Sequence, residues 1–163
     1  MSPSSPHRTT PATEEPVKVS DWVRVTQEMI DEFGHCTLDP DPMHVDPKWA
    51  ADGPFGTTIS FGFLTMSLLS RLMHAALEVP YARDLSVSGY YLNYGFERVR
   101  LITPVKVNSR IRGRFQLIKR RQDEKGRIRS TFHCVIEIEG EERPAMVADW
   151  LNFWVPPPSP MQP

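Results

Sequence analysis

Apolar residues follow two different rhythms along this chain, and the change of rhythm divides it. Over residues 60–78 the apolar positions are Phe61, Phe63, Leu64, Met66, Leu68, Leu69, Leu72, Met73, Ala76 and Leu77. They leave little polar face on a helix, and a helix apolar nearly all round has to be wrapped by the rest of the protein. Beyond it the period becomes two. Over 109–120, Ile111, Phe115 and Leu117 alternate with Arg110, Arg112, Arg114 and Gln116. Over 127–139, Phe132, Cys134, Ile136 and Ile138 alternate with Thr131, His133, Val135, Glu137 and Glu139. Such alternation marks antiparallel strands with one dry face and one wet face. Residues 87–102 and 145–155 also read as strands. Turn signals separate the four, at Thr103-Pro104, at Asp123-Glu124-Lys125-Gly126 and at Gly140-Glu141-Glu142. The pattern predicts a long buried helix followed by a meander of four strands.

Upstream, residues 26–33 predict a short amphipathic helix. Thr26 serves as N-cap, Met29, Ile30 and Phe33 share a face, and Gly34 is a plausible stop. Pro40, Pro42 and Pro47 forbid a regular helix through the next segment. Residues 46–51 predict a single turn, with Asp46 as cap and Pro47 in the first helical position.

At 163 residues the chain fits one domain. Most of its 16 prolines sit at the two ends and around the loop just described. Residues 1–17 are polar and rich in Pro and Ser, and residues 156–163 are again rich in Pro. Neither end can bury enough apolar surface to offset its ordering entropy, so both read as disordered tails around a domain over 18–155. The first residues hold no apolar run of the signal-peptide kind. The stretch 59–69 is broken by Ser and Thr and stopped by Arg71, far short of the ~20 apolar residues of a membrane span. Cys36 and Cys134 form no CxxC, which suits a reduced, cytoplasmic setting.

The formal net charge is −1, yet residues 98–129 carry 12 Lys and Arg against Asp123 and Glu124. A basic face attracts an anionic partner, or is simply a solvated strand face. No aromatic interleaving or known motif supports nucleic-acid binding.

Candidate chemistry centres on Asp39-Pro40-Asp41-Pro42-Met43-His44. An aspartate five positions before a histidine, joined by a proline-stiffened link, can hold one carboxylate and one imidazole on a single water. Gly62 falls in the first turn of the apolar helix, where backbone N–H groups lack intrahelical partners and can face a developing oxyanion. Ser70 lies two turns further on, at a similar angle. Each residue has a structural reading as well. Asp39 before Pro40 fits an Asx-turn, His44 a satisfied structural histidine, Gly62 a close packing point, and Ser70 a packing serine. No metal site is expected. The aspartates at 39, 41 and 46 lack the glycine and glutamate of a calcium loop, where the chain has His44 and Ala50. His35, Cys36 and His44 do not have a zinc spacing.

With these residues in view, the chain resembles the MaoC-like hydratases of the hot-dog fold, which include R-specific enoyl-CoA hydratases. Their motif runs Gly-Asp-x-Asn-Pro-aliphatic-His, then His-Gly-(Met/Phe)-Leu at the start of an apolar helix. Here the two elements stand as Leu38-Asp39-Pro40-Asp41-Pro42-Met43-His44 and Phe61-Gly62-Phe63-Leu64. The segments from Leu92 to Arg100 and from Pro144 to Leu151 resemble the nodulation-protein-N-type branch. Leu38, Asp41 and Phe61 depart from the usual Gly, Asn and His.

The resemblance implies an α+β hot-dog domain, a curved antiparallel sheet wrapped around one long helix. It also implies reversible hydration of a trans-2-enoyl thioester to an (R)-3-hydroxyacyl thioester without cofactor. Asp39 and His44 would be catalytic, with Gly62 and Ser70 orienting the substrate. Phe61, Asn93, Tyr94, Arg98 and Arg100 are further candidates for substrate contact, and Arg98, Arg100, Arg112 and Arg114 for CoA phosphates. The implied partners are an acyl-CoA or acyl carrier protein thioester and a second copy of the chain, with neither nucleic acid nor membrane. A hot-dog acyl-CoA thioesterase and a non-catalytic acyl-binding subunit are the competing functions.

Overall fold

The two-residue alternation of the second half is realised as a single antiparallel sheet. In the computed structural model, which describes residues 15–81 and 83–158, its long strands are β3 (Tyr90–Leu101), β4 (Arg110–Gln122), β5 (Ile128–Ile138) and β6 (Met146–Val155). Two short strands, β1 (Lys18–Val19) and β2 (Val23–Arg24), both pair with β4. The strand order is β1-β4-β5-β6-β3, so β3 forms an edge. All four long strands fall where the alternation and turn signals placed them. Most of the two tails lies outside the described residues.

The apolar segment forms two helical pieces, α4 (Gly62–Ser67) and α5 (Leu69–Leu77). Leu68 between them stays right-handed helical, and its N–H donates to the Leu64 carbonyl, so the axis continues. Leu64, Leu69, Leu72, Met73 and Ala76 are buried against Ile111, Phe115, Cys134, Ile136, Met146 and Trp150 of the sheet. Complete burial, expected from the apolar count, is not reached. Phe63, Ser67, Arg71 and Glu78 recur at helical spacing along an exposed stripe, and Phe63 is 69% exposed.

Close approach of helix and sheet depends on Gly113 of β4. A Cβ there would lie 2.5 Å from the Phe115 ring and 3.1 Å from Leu72 Cβ. Phe115 occupies the space such a Cβ would fill. A buried Leu of this kind contributes about 1.5–3 kcal/mol through its removal from water.

In the first half, Thr26 caps α1 (Gln27–Thr37), its hydroxyl accepting from the Met29 N–H at 3.3 Å. Gly34 does not stop this helix. It is buried inside it, where a Cβ would crowd the Asp39 carbonyl, Phe61 and Val45, all within 3.1 Å. Leu38 ends the helix instead, with φ 58° and its N–H turned back to Gly34 and His35 carbonyls. The proline-rich segment holds one helical turn that the proline count hid. Asp41 caps it and Pro42 opens it, giving α2 (Pro42–Val45). Asp46 then caps α3 (Pro47–Ala51), as its sequence predicts. A last turn, α6 (Leu85–Ser88) capped by Asp84, takes the first residues of the segment expected to be strand from 87 onward.

Leu38 pays no compensation for its left-handed backbone, since its side chain is 87% exposed. Left-handed geometry costs a non-glycine residue roughly 1–2 kcal/mol, partly offset by the greater unfolded-state entropy of glycine. Leu38→Gly is therefore expected to stabilise the fold by about 0.5–1 kcal/mol, raising the thermal midpoint by roughly 1–4 °C in a melting experiment.

Candidate active site

The loop carrying Asp39 and His44 is fixed by hydrogen bonds that reach well beyond it. The Gln27 amide NH₂ donates to the His44 carbonyl at 2.8 Å and to Asp31 Oδ1 at 2.8 Å. Its oxygen accepts from the buried Thr58 hydroxyl at 2.5 Å. The Ile59 N–H donates to the Met43 carbonyl at 3.3 Å. Gln27 thus ties α1, the His44 turn and the segment entering α4 into one unit. Its position in an amphipathic helix gave no sign of this in the sequence.

His44 sits on α2, half-buried, with its ring 3.9 Å from that of Phe61, which in turn packs at a tilt against Phe33 at 5.3 Å. Its Nδ1 lies 2.7 Å from the Ile59 carbonyl oxygen. A carbonyl can only accept, so Nδ1 carries a proton, and in the neutral form of the ring the lone pair lies on Nε2. The ring lines a cavity of about 230 Å³ with Ser60, Gly62, Thr65, Leu101 and Thr103. Gly62 opens α4, and Phe61 before it offers no capping side chain. A Cβ on Gly62 would meet the end of the half-exposed Leu101 side chain, which would have to turn aside.

Asp39 lies on the exposed loop and does not line this cavity. Its N–H donates to the Gly34 carbonyl at 2.9 Å, while its carboxylate has no hydrogen-bond partner among the described residues. Asp41 is differently occupied. Its Oδ1 accepts from the Met43 N–H at 2.9 Å, the task an asparagine would perform at a helix cap.

The remaining candidates separate into three groups. Phe61 is a core residue, 4% exposed, that supports the His44 ring. Ser70 and Asn93 line a second, larger cavity of about 510 Å³ between α5 and the far half of the sheet. Tyr94 is exposed on the edge strand, edge-on to Phe153 at 4.9 Å.

The arginines are largely committed within the fold. Arg98 sits on a bulge of β3 with φ 53° and pairs with buried Asp149 at 2.6 Å; Asp149 also accepts from His133 Nδ1 at 2.9 Å. The Arg100 side chain donates to the Val99 carbonyl. Arg112 and Arg114 share Glu137, Arg110 pairs with Glu139, and Arg112 covers the Trp22 ring. Burial pushes the Glu137 carboxyl up, but hydrogen bonds and charge from Arg112 and Arg114 hold it below its ordinary value. Much of the basic stripe is thus a paired, solvated strand face. Burial raises the Cys134 thiol to about 12, which removes it as a nucleophile. No helix among the described residues is long and apolar enough to cross a membrane.

Residues 8–135 match the MaoC like domain family. The chain is 41% identical over 144 residues to 3-hydroxyacyl-thioester dehydratase Z of Mycobacterium tuberculosis, covering 88% of this chain and 91% of that protein. It is 42% identical over 135 residues to Nodulation protein N of Rhizobium leguminosarum bv. viciae, covering 82% and 81%. The (R)-hydratase from A. caviae involved in PHA biosynthesis superposes with a TM-score of 0.69 at 20% identity, over 89% of this chain and 98% of that one. This last likeness establishes the hot-dog fold.

The Gln27 bridge carries a stability consequence. Replacing Gln27 by Leu leaves the Thr58 hydroxyl and the His44 carbonyl without partners. Unfolding in urea is expected to show a loss of about 1–3 kcal/mol.

Proposed function

Because the chain belongs to the MaoC like domain family and is a hydratase or dehydratase, we propose that it hydrates trans-2-enoyl thioesters reversibly to (R)-3-hydroxyacyl thioesters, with Asp39 and His44 as the acid–base pair. The observation that carries this reading is the His44 ring. It is locked into one tautomer by the Ile59 carbonyl, and it lines the same cavity as the first amide of the buried helix.

In the forward direction water gives a proton to the pair as its oxygen bonds to C3. The C2=C3 electron pair moves toward the thioester carbonyl, and C2 then takes a proton back. His44 Nε2 has the lone pair for a water proton, and the free Asp39 carboxylate is a second acceptor on the same loop. Positioned groups of this kind contribute ~10²–10⁴-fold. The Gly62 N–H, at the positive end of the helix, suits the oxygen on which enolate charge develops. The larger cavity begins at Ser70, eight residues further along the helix and so roughly 12 Å from Gly62 along its axis. It suits the acyl chain.

We read residues 18–155 as one catalytic domain, since β1 at Lys18 and β6 ending at Val155 belong to one sheet. A cytoplasmic setting fits two cysteines that are both unpaired. The chain is read as a homodimer joined along β3. Twelve residues long, this edge exposes Leu92 and Tyr94, and long apolar edges are normally covered. A second copy pairing by twofold symmetry covers it with the same strand.

Crotonyl-CoA is the test substrate. Wild-type protein should consume the enoyl absorbance without releasing free thiol, whereas thiol release would indicate a thioesterase. Asp39→Asn and His44→Ala should each slow hydration by about 10²–10⁴-fold while melting as wild type does. Full activity in both variants would remove the pair from the mechanism. For the dimer, sedimentation should give twice the chain mass at micromolar concentration. A Leu92→Lys, Tyr94→Lys double variant should sediment as the monomer.

A further inference from the structure

The large cavity is not uniformly apolar, and its polar residues are arranged in one line. Asn93 of β3 pairs in register with Asn152 of β6, Asn152 with Ser130 of β5, and Ser130 with Arg120 of β4. Residues opposite one another in a sheet share a face, and all four line this cavity. They form a polar row across the four long strands. The rows on either side are apolar: Leu117, Phe132 and Trp150 toward the catalytic end, and Ile128, Trp154 and Tyr91 beyond.

Arg120 joins the row because of a bulge. Leu117 pairs with Phe132 but Lys119 with Thr131, so Ile118 is an extra residue and the alternation of β4 reverses after it.

Among the described residues, no side chain of this row makes a hydrogen bond. Asn152 is 5% exposed, and its amide nitrogen is closed off without a partner, as is the indole nitrogen of the adjacent Trp150. Buried polar side chains are normally paired. Asn93 and Arg120 are exposed and Ser130 is half-buried, so Asn152 is the member of the row whose missing partner calls for an explanation, and a molecule entering the cavity would supply it. Its chemistry must combine an apolar body, for the flanking rows, with an oxygen at the level of the row.

We propose that the cavity selects an acyl chain bearing a hydroxyl or keto oxygen beyond the reacting carbons, read by Asn93, Asn152 and Ser130. This rests on the acyl-thioester reading above and names the class of chain. Arg120, exposed and without an ion pair among the described residues, ends the row at its open side. A site made to hydrogen-bond a substrate oxygen discriminates strongly against the analogue lacking it, because its own groups are then left unpaired.

The test uses unreactive saturated thioesters, so that it does not depend on turnover. Binding of octanoyl-CoA to the full chain is measured by calorimetry beside octanoyl-CoA derivatives carrying a hydroxyl or keto group at successive carbons of the distal half. At least one oxygenated derivative should bind about ten-fold or more tightly than the plain chain. Asn152→Leu should abolish the difference, and Ser130→Ala, a milder change, should reduce it. Three results would each overturn the proposal: equal affinity for plain and oxygenated chains, an undiminished preference in both variants, or no binding of any chain. Wild-type turnover of crotonyl-CoA, measured in parallel, judges the hydratase reading separately. Its failure would remove that reading while leaving the binding comparison decisive for the row.

Discussion

The structure depends on one contact, between the apolar side of α4–α5 and the concave face of the sheet. The helix is too apolar to stand in water and too short to leave it for a membrane. Its only stable place is against the strands, and Gly113 lets it come close enough for Leu72 to pack there. Helix entry is set by the same contact. Gly62 lies against Leu101, and the segment before it is pinned by the Ile59 and Ser60 backbone bonds to Met43 and Val105. Pinning Ile59 presents its carbonyl to His44. Core packing thus determines which imidazole nitrogen remains free.

A second level of organisation is polar. Gln27 joins, through one amide group, three segments that already meet at Phe33, Phe61 and His44. Asp41 and Asp46 cap successive single turns, so the proline-rich loop is stiff without being regular. On the outer face, Glu137 gathers Arg112 and Arg114, which ties up part of an apparent anion-binding stripe within the sheet. The exposed Asp39 carboxylate stands apart from all these pairings, and it is the one acid of the motif loop that is neither capping nor bridging.

Much of this was legible in the sequence because it follows from short-range periodicity. Strands β3 to β6, the Thr26 and Asp46 caps and the apolar helix all announce themselves by spacing. Three things did not. Gly34 looked like a helix stop, but its lack of a side chain serves a crowded crossing with Asp39, Phe61 and Val45. Leu38, a residue with no preference for left-handed backbone, ends the helix instead. The second cavity was invisible because its polar row is assembled from four strands, and register is a property of pairing. Ser70 was singled out from helix spacing and family resemblance, yet the structure seats it in that cavity and not beside His44.

The bulge at Ile118 has a consequence for how such a domain can diversify. An added residue in one strand re-aims every side chain after it and none before it. The half of β4 that packs under the helix keeps its inward set, Ile111, Gly113 and Phe115, whatever happens downstream. Insertion or loss of a single codon there would exchange the side chains facing the far chamber while sparing the scaffold around the reacting atoms. On the reading proposed above, chain selectivity and chemistry are then separable traits.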